Sequence, residues 1–331
     1  MNPAIYHMNY LQAIVIGLIQ GLTELFPISS LGHTVLIPSW LGGSWATLVR
    51  QENSAESPYL AFVVGLHLAT AIVLLGFYWR EWIRLIRAFV VSIARRRVET
   101  TEQRLAWLIV IATIPVGALG LGLEHLFRTL FAKPLAAAIF LTVNGLILLA
   151  GERYRRTGTQ HSRARVRESY AATATAAGAE AAAGSDEHGR GLLGTIPATE
   201  GDEALSRIGV VNAFWIGAAQ SLALLAGISR EGVAMVGGLF RGLTREDALR
   251  FAFMLSTPVI LAAGALKIGD LTGPLGAGIR GQAIAGSIAA AATSLFAVIF
   301  LSRYFKTRTL YPFAIYCLLA GGISVLRFGL F

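Results

Sequence analysis

A fourteen-residue segment occurs twice in this chain, and its two copies constrain the fold more than any other feature. Residues 20–33 read QGLTELFPISSLGH, and residues 220–233 read QSLALLAGISREGV. Internal repetition of this kind indicates that a chain is built from two similar structural units. Aligned without a gap, the copies share Gln20 and Gln220, Leu22 and Leu222, Leu25 and Leu225, Ile28 and Ile228, Ser29 and Ser229, and Gly32 and Gly232.

The two copies differ at the positions that carry chemistry. The first copy has Glu24, Ser30 and His33, whereas the second has Arg230 opposite the serine and apolar residues opposite the other two. A carboxylate, a hydroxyl and an imidazole therefore belong to one unit, and a guanidinium belongs to the other. This division predicts a single site that both units assemble together.

The apolar composition places the chain in a membrane. Apolar residues make up 55% of the sequence and charged residues only 14%, whereas soluble proteins have about 25% charged residues. Several apolar stretches reach the roughly 20 residues that a helix needs to cross a bilayer. The pattern predicts an all-α integral membrane protein with transmembrane helices at residues 58–79, 104–124, 134–150, 247–268, 280–301 and 310–328.

Two further segments are too polar or too broken to span the membrane. Residues 9–42 are interrupted at 27–30, and residues 209–241 are interrupted at 226–229. Each is predicted to be a re-entrant helix–turn–helix pair that enters the membrane and returns to the same side. Non-helical backbone at that depth is tolerated only inside protein or beside a wet cavity.

Positive charge predicts the orientation of the two units. Loops 80–104, 151–208 and 302–309 hold most of the 28 Lys and Arg residues, and the positive-inside rule makes these loops cytoplasmic. Both termini are then extracytoplasmic, so one re-entrant pair enters from outside and the other from inside. This is an inverted-topology repeat, as in many transporters. The same topology accounts for the net charge of +9, so nucleic acid is not an expected partner.

The predicted domains follow the two units. Residues 1–154 form the first membrane repeat, and residues 208–331 form the second. Between them, residues 155–207 are rich in Ala, Arg, Gly, Glu and Thr and poor in large apolar residues, a composition typical of disorder. We therefore predict a disordered cytoplasmic insertion, with a regulatory or partner-binding loop as the alternative.

The first copy carries most of the predicted chemistry. Gln20 and Glu24 share a helix face, and a carboxylate within the membrane is a functional group by default. The alternative for Glu24 is a purely structural role, in which it caps a helix or accepts a hydrogen bond from a backbone N–H. The turn that follows offers backbone N–H groups and a helix N-terminus to an anion. There Ser30 is a candidate nucleophile with His33 as its base, or His33 itself attacks.

The other polar residues of this region have simpler interpretations or belong to the second copy. Ser29 and Ser30 are both suited to capping a helix. His67 stands alone in a predicted span, where an interhelical hydrogen bond is its expected role. Arg230 is suited to bidentate contact with phosphate. At this depth it needs a partner, for which Glu24 and a ligand phosphate are the candidates.

These groups predict two alternative functions. One is hydrolysis of a phosphoanhydride, with a divalent cation bridging Glu24 and the phosphates. The other is binding an anion and moving it across the membrane. Ser30 and His33 favour hydrolysis, because a transporter needs neither a nucleophile nor a base.

At these residues the sequence resembles the bacterial undecaprenyl-diphosphate phosphatases, the bacitracin-resistance family. The resemblance covers both repeats and omits the insertion. The second motif is only partly present, because its Pro, Ser and Thr positions hold Ala226, Glu231 and Ala234. The first motif is carried by Gln20, Glu24, Pro27, Ser29, Ser30, Gly32 and His33, and the second by Gly227, Ser229, Arg230 and Gly232.

The resemblance implies a membrane hydrolase that removes one phosphate from undecaprenyl diphosphate and returns the monophosphate carrier to cell-wall synthesis. It also implies a cell-membrane location, a site open to the extracytoplasmic face and a requirement for Mg²⁺ or Ca²⁺. Glu24 would hold the metal, Ser30 and His33 would supply nucleophile and base, and Arg230 would grip the diphosphate. Expected substrate-binding residues are Gln20, Ser29, Ser229 and Gly232.

Glu231 is the departure from the family motif with the clearest chemical consequence. A carboxylate beside Arg230 repels a diphosphate unless a cation lies between them. We predict that Glu231 is a second metal ligand, which returns the negative charge that many family members carry at the position of Gln20. The alternative is that Glu231 only pairs with Arg230 and lowers activity.

Two other functions stay open at this point. The same scaffold suits a flippase or transporter of a phosphorylated lipid carrier. It also suits a paralogue that binds polyprenyl phosphates with little turnover, to which Ala226, Glu231 and Ala234 point. The sequence does not fix the oligomeric state, for which a homodimer is one arrangement.

Overall fold

The computed structural model describes residues 8–52, 58–131, 133–177, 200–273 and 278–330. All regular structure within these ranges is helical. Five of the described helices are long and apolar enough to cross a membrane, so the chain is a multi-pass membrane protein, as predicted. These segments are Thr101–Gly120, Pro134–Thr157, Arg245–Leu266, Arg280–Tyr304 and Tyr311–Leu330.

The sixth predicted span is also helical. It runs over Pro58–Phe77, and its part Gly65–Phe77 is one of the shorter apolar helices. In chain order the elements are α1 Tyr10–Leu25, α2 Ser30–Leu41, α3 Gly43–Glu52, α4 Pro58–Phe77, α5 Trp79–Arg95, α6 Thr101–Phe131, α7 Pro134–Ala177, α8 Glu200–Ser206, α9 Val210–Gln220, a 3₁₀ turn Ser221–Leu224, α10 Arg230–Phe240, α11 Arg245–Thr272, α12 Arg280–Tyr304 and α13 Tyr311–Leu330.

Both predicted re-entrant segments are helix–turn–helix pairs. Helix α1 starts with a capping box, in which Asn9 and Gln12 each accept a hydrogen bond from the other's backbone N–H. It ends at Phe26, whose extended backbone is the conformation favoured before Pro27. The second pair has no proline at its break. There a 3₁₀ turn and Gly227, with a φ of 113°, separate α9 from α10.

Close helix crossings join the two halves of the chain. Helix α1 crosses α12, where a Cβ added at Gly17 would lie 2.2 Å from the carbonyl oxygen of Gly286. Helix α9 crosses α6, where a Cβ at Gly217 would lie 1.9 Å from the carbonyl oxygen of Ala112. Small residues permit such backbone contact between membrane helices. Helix α4 packs on α11 and α7 packs on α13, so all four contacts connect one half to the other.

The first part of the predicted insertion is helical in the structure. Helix α7 continues through the predicted boundary at residue 154 and ends only at Ala177. Residues 155–177 are rich in Ala and Arg, which are strong helix formers, so the membrane helix extends into them. Residues 178–199 lie outside the described ranges.

The last part of the predicted insertion is also helical. Asp202 of α8 is fully buried. Its two carboxylate oxygens lie 2.8 Å from Arg84 Nη2 and 2.6 Å from Arg250 Nη2. Arg250 also pairs with Glu81 at 3.0 Å. This buried ion network fastens α8 to α5 and α11, an attachment that the polar composition of the segment does not reveal.

Candidate active site

A cavity of about 480 Å³ lies where the turns of the two helix–turn–helix pairs meet. Apolar side chains of α4, α6 and α11 form much of its wall. The cavity joins Glu24 and Ser30 of the first copy to Arg230 of the second, as the sequence predicts. Its polar lining consists of Glu24, Ser29, Ser30, His67, Thr113, Gln220, Arg230 and Glu231.

Glu24 is the centre of a hydrogen-bonded cluster. It is only 4% exposed. Its Oε2 accepts a hydrogen bond from Gln20 Nε2 at 3.0 Å and another from the Ser30 hydroxyl. The same oxygen lies 3.3 Å from His67 Nε2. These contacts are all with side chains, so the structural alternative of a helix cap or a backbone bond does not describe Glu24.

Ser29 shapes the turn that brings Ser30 to Glu24. Its φ of 71° is unusual for a residue other than glycine. The Ser29 hydroxyl compensates by accepting hydrogen bonds from the N–H of Gly32 at 3.2 Å and from the N–H of Gly227 at 3.1 Å. Ser29 therefore caps α2 and at the same time ties the first turn to the second.

Ser229 and Gly232, two predicted substrate-binding residues, do not line the cavity. The Ser229 hydroxyl caps α10 by accepting a hydrogen bond from the Gly232 N–H at 3.1 Å. A Cβ at Gly232 would lie 3.2 Å from a methyl carbon of Leu148, so this glycine serves packing. Gln20 also lies outside the lining and reaches the site only through Glu24.

His33 does not occupy the place that the sequence predicts. Its Nδ1 lies 2.6 Å from the carbonyl oxygen of Ser29, and its Nε2 lies 2.7 Å from the hydroxyl of Tyr316. The imidazole stacks on the Tyr316 ring and is absent from the cavity lining. Tyr316, on α13, thus holds the ring away from Ser30, and the Ser30 hydroxyl bonds to Glu24 instead of His33.

Asn144 holds the two turns together from a third helix. This side chain on α7 is fully buried. Its Nδ2 donates to the carbonyl oxygen of Pro27 at 2.9 Å, and its Oδ1 accepts from the N–H of Ser229 at 3.0 Å. One amide therefore satisfies a backbone group in each turn.

We expect the Asn144→Leu variant to be less stable and less active than the wild type. Two buried backbone groups would lose their partners, and each such loss costs about 1–3 kcal/mol. Thermal unfolding in detergent should show a melting temperature several degrees lower. Val143→Ala, a change at an exposed position of the same helix, is the control and should unfold like the wild type. An unchanged melting temperature in Asn144→Leu would contradict the proposed role of this amide.

Arg230 and Glu231 present unsatisfied polar atoms to the cavity. Within the described ranges, Nε and Nη1 of Arg230 are buried without a hydrogen-bond partner, and so is Oε1 of Glu231. No ion pair joins the two side chains in this part of the chain, so the pairing considered as an alternative for Glu231 is not seen. Buried unpaired groups of opposite charge are costly, and their presence indicates a site for a charged ligand.

Two residues of the cavity were not predicted as functional. Gln220 is buried, and neither atom of its amide has a hydrogen-bond partner among the described residues. In the sequence, the alignment of Gln220 with Gln20 in the duplicated segment could have indicated that Gln220 belongs to the site. His67 makes the interhelical contact expected of it, with Nε2 lying 3.3 Å from Glu24 Oε2, but its place in the cavity lining was not predicted. Its position inside an apolar span was the signal, because ionisable residues there are rare and usually functional.

The oxygen atoms at the cavity fit a hard divalent cation. Oε1 of Glu231 is buried without a partner among the residues described, and Glu24 adds a second carboxylate to the lining. That part of the chain holds no cluster of three or more His, Cys, Asp or Glu residues. Mg²⁺ typically takes one or two carboxylates and completes its shell with phosphate oxygens and water, so this donor set is sufficient when a phosphorylated ligand is present.

Comparison with known proteins identifies the family. The sequence profile described as "Bacitracin resistance protein BacA" matches residues 13–323. The chain belongs to this family. The matched residues include the turns of both helix–turn–helix pairs. The resemblance seen in the sequence is therefore confirmed.

Curated relatives of the family match nearly the whole chain. Undecaprenyl-diphosphatase 2 of Frankia alni is 54% identical, over 98% of this chain and 99% of its own length. An undecaprenyl-diphosphatase of Mycolicibacterium paratuberculosis is 51% identical, over 96% of this chain and 97% of its own length. A more distant relative, undecaprenyl-diphosphatase 2 of Chromobacterium violaceum, is 36% identical over 96% of this chain. The similarity therefore extends over the complete membrane scaffold.

Proposed function

We propose that this chain hydrolyses undecaprenyl diphosphate to undecaprenyl phosphate and inorganic phosphate. The reaction would recycle the lipid carrier for cell-wall synthesis and confer resistance to bacitracin. One observation carries the proposal: the Ser30 hydroxyl is bonded to the Glu24 carboxylate in a cavity that also holds the unpaired guanidinium of Arg230. In the proposed reaction Ser30 would be the nucleophile, Glu24 its base and Arg230 the group that binds the phosphate. The names of the relatives support the same substrate.

The cavity suits an amphipathic substrate. Its wall includes Val116, Ile260 and Leu266, whereas its charged groups come from the turns and from α4. The apolar wall would hold the first isoprene units of the lipid. The turns would then receive the diphosphate.

In the proposed reaction Ser30 attacks first. Its Oγ forms a bond to the terminal phosphorus while Glu24 accepts the hydroxyl proton. The bond from that phosphorus to the bridging oxygen breaks, and undecaprenyl phosphate leaves with the electron pair. Water then attacks the phosphoserine, inorganic phosphate departs, and Ser30 takes its proton back from Glu24. Arg230 would bind the phosphoryl oxygens throughout and offset their charge.

Glu24 and Glu231 would hold the divalent cation, Mg²⁺ or Ca²⁺. When bound, such a cation neutralises charge on the phosphates. Glu231 would otherwise repel the diphosphate, because it lies next to Arg230 in sequence and is buried. Its unpartnered oxygen supports the role of a metal ligand.

The proposed enzyme has an inverted-topology repeat with its site near the middle of the membrane and open to the extracytoplasmic face. Two features support the repeat. Gly17 and Gly217 correspond in the duplicated alignment, and both lie at backbone contacts with a long helix of the other half. Depth is supported by α4, in which His67 lies ten residues before Phe77, the end of the helix that leads to the first arginine-rich loop. That is about 15 Å of helix in a hydrocarbon core of about 30 Å.

The purified protein in detergent is expected to release phosphate from a polyprenyl diphosphate in the presence of Mg²⁺ or Ca²⁺. Ser30→Ala should lower kcat at least about a hundredfold and abolish a phosphoenzyme trapped by acid quench. Ser39→Ala is the matched control, because the Ser39 hydroxyl donates to the Val35 carbonyl oxygen in the same helix and does not line the cavity. Lack of release by the wild type with either cation would favour the transporter instead. Full activity in Ser30→Ala would remove Ser30 as nucleophile.

A further inference from the structure

Gln220 is a buried amide of the cavity that the proposed reaction has not yet used. It is the last residue of α9, it is only 1% exposed, and it lines the cavity. Neither its Oε1 nor its Nε2 has a hydrogen-bond partner among the described residues. Buried polar side chains are nearly always hydrogen-bonded, so the two atoms indicate a ligand in the cavity.

The duplicated segment explains why this amide has no internal partner. In the first copy, Gln20 Nε2 donates to the Glu24 carboxylate, four residues later, at 3.0 Å. In the second copy, the residue four positions after Gln220 is Leu224, whose side chain accepts no hydrogen bond. The α-helix also ends at this point, because the 3₁₀ turn Ser221–Leu224 follows. The second copy therefore carries the same amide without the carboxylate that occupies it in the first.

The two amide atoms specify what a ligand must offer. An amide N–H donates a hydrogen bond and an amide oxygen accepts one. The oxygens of an ionised phosphate only accept, so a phosphate alone would satisfy Nε2 of Gln220 and leave Oε1 without a partner. Oε1 needs a group that donates, and water is the donor that the proposed hydrolysis requires. A phosphoryl oxygen and a water molecule side by side would satisfy both atoms.

Gln220 and Ser30 reach the cavity from different parts of its wall. Helix α9 packs mainly on α6 and α10, whereas α2, which begins at Ser30, packs mainly on α1, α3 and α7. Displacement at phosphorus needs the attacking and leaving oxygens to lie roughly in line. Water that attacks a phosphoryl group on Ser30 must therefore approach from the side away from Ser30 Oγ. A polar residue on another part of the wall, such as Gln220, is placed to hold it.

We propose that Gln220 positions the water that hydrolyses the phosphoserine. The inference rests on the proposed function and assigns a residue to its second step. Oε1 accepts a hydrogen bond from the water, and Nε2 donates to a phosphoryl oxygen. The water oxygen forms a bond to phosphorus, the bond from phosphorus to Ser30 Oγ breaks, and Oγ keeps the electron pair and takes the proton held by Glu24. Both hydrogens of the water leave on dihydrogen phosphate, so the amide itself gains no proton.

The Gln220→Leu variant separates the two steps of the reaction. We expect release of inorganic phosphate to slow about a hundredfold, the typical effect of losing one group that acts on the transition state. Formation of the lipid monophosphate in the first turnover should stay within about fivefold of the wild type. The phosphoenzyme should therefore accumulate. Thermal unfolding in detergent should occur at or above the wild-type temperature, because the substitution removes two unpaired polar atoms.

Acid quench of the purified full-length protein measures both steps. The protein in detergent with Mg²⁺ or Ca²⁺ would receive a polyprenyl diphosphate labelled with ³²P at its terminal phosphorus, and protein-bound label and free phosphate would be followed over time. Asn212→Leu is the matched control, because the Asn212 amide donates to the Ile208 carbonyl oxygen and does not line the cavity. It should behave as the wild type does. Gln220→Met keeps the length of the side chain and serves as the second variant if Gln220→Leu does not fold.

The outcomes separate this inference from the proposed function. Wild-type kinetics in the Gln220 variants, or slower release without accumulated label, overturns Gln220 as the residue that positions the water and leaves the phosphatase function standing. A lower unfolding temperature with unchanged kinetics gives the amide a structural role and overturns the inference as well. If the wild type releases no phosphate with either cation, the proposed function fails and this inference fails with it.

Discussion

The Glu24→Gln variant is expected to release phosphate about a thousandfold more slowly than the wild type. The substitution keeps the size of the side chain and the hydrogen bond from Ser30, but it removes the negative charge. A neutral amide cannot accept the hydroxyl proton, and loss of such a general base typically costs 10²–10⁴-fold in rate, as an order of magnitude. The same change weakens binding of the divalent cation, but added metal should not restore the rate, because the general base would still be missing.

The control for Glu24→Gln is the same substitution at a glutamate outside the site. Glu246 is exposed and lies 3.6 Å from Lys306 at the surface, where an ion pair contributes at most about 1 kcal/mol. Glu246→Gln should therefore keep wild-type activity. A Glu24→Gln enzyme that retained more than about a tenth of the wild-type kcat would contradict the role of Glu24 as base.

The Arg230→Lys variant is expected to lose about a hundredfold in kcat/KM, and Arg230→Ala about a thousandfold. Loss of one donor to developing charge typically costs 10²–10³-fold, as an order of magnitude. Lysine keeps the charge but not the planar pair of N–H groups that fits two phosphoryl oxygens. Nε and Nη1 of Arg230 have no hydrogen-bond partner among the described residues. The substitutions therefore break no hydrogen bond that these two atoms make within that part of the protein. Stability should therefore change little.

Arg241→Lys is the matched control for Arg230→Lys. Arg241 follows the last residue of the same helix and is exposed. Its substitution should leave kcat/KM within about twofold of the wild type, since surface changes usually have small effects. If Arg230→Lys behaved in the same way, the guanidinium would not be the phosphate ligand and the proposed assignment would fail.

The sequence predicted the parts of the fold that depend on local pattern. Long apolar runs predicted the membrane-spanning helices, and the interruptions at 27–30 and 226–229 predicted the two turns. It also predicted that Glu24, Ser30 and Arg230 meet, because the duplicated segment relates their positions. These are consequences of composition and repetition, which a single sequence displays.

The contacts that the sequence did not predict join distant parts of the chain. Ser30 and His33 are three residues apart, yet the imidazole is directed by Tyr316, which lies 283 positions later. His67 joins the site because α4 places it against Glu24 of α1. Asp202 binds two arginines from other helices, although its segment reads as disordered. Local pattern does not encode which long-range partner a polar side chain meets.

The hydrogen bonds of Asn144 and Ser29 have a consequence for how the molecule can move. Transport by alternating access requires one half of such a scaffold to rock against the other around the bound solute. Here Asn144 bonds both turns at once, and Ser29 bonds the N–H of Gly227 across them. Rocking would break two of these buried hydrogen bonds in each cycle, because the bonds from Asn144 to Ser229 and from Ser29 to Gly227 join the two halves. The bonds that align the reacting groups therefore also hold the halves in place, which suits hydrolysis at a fixed site better than transport.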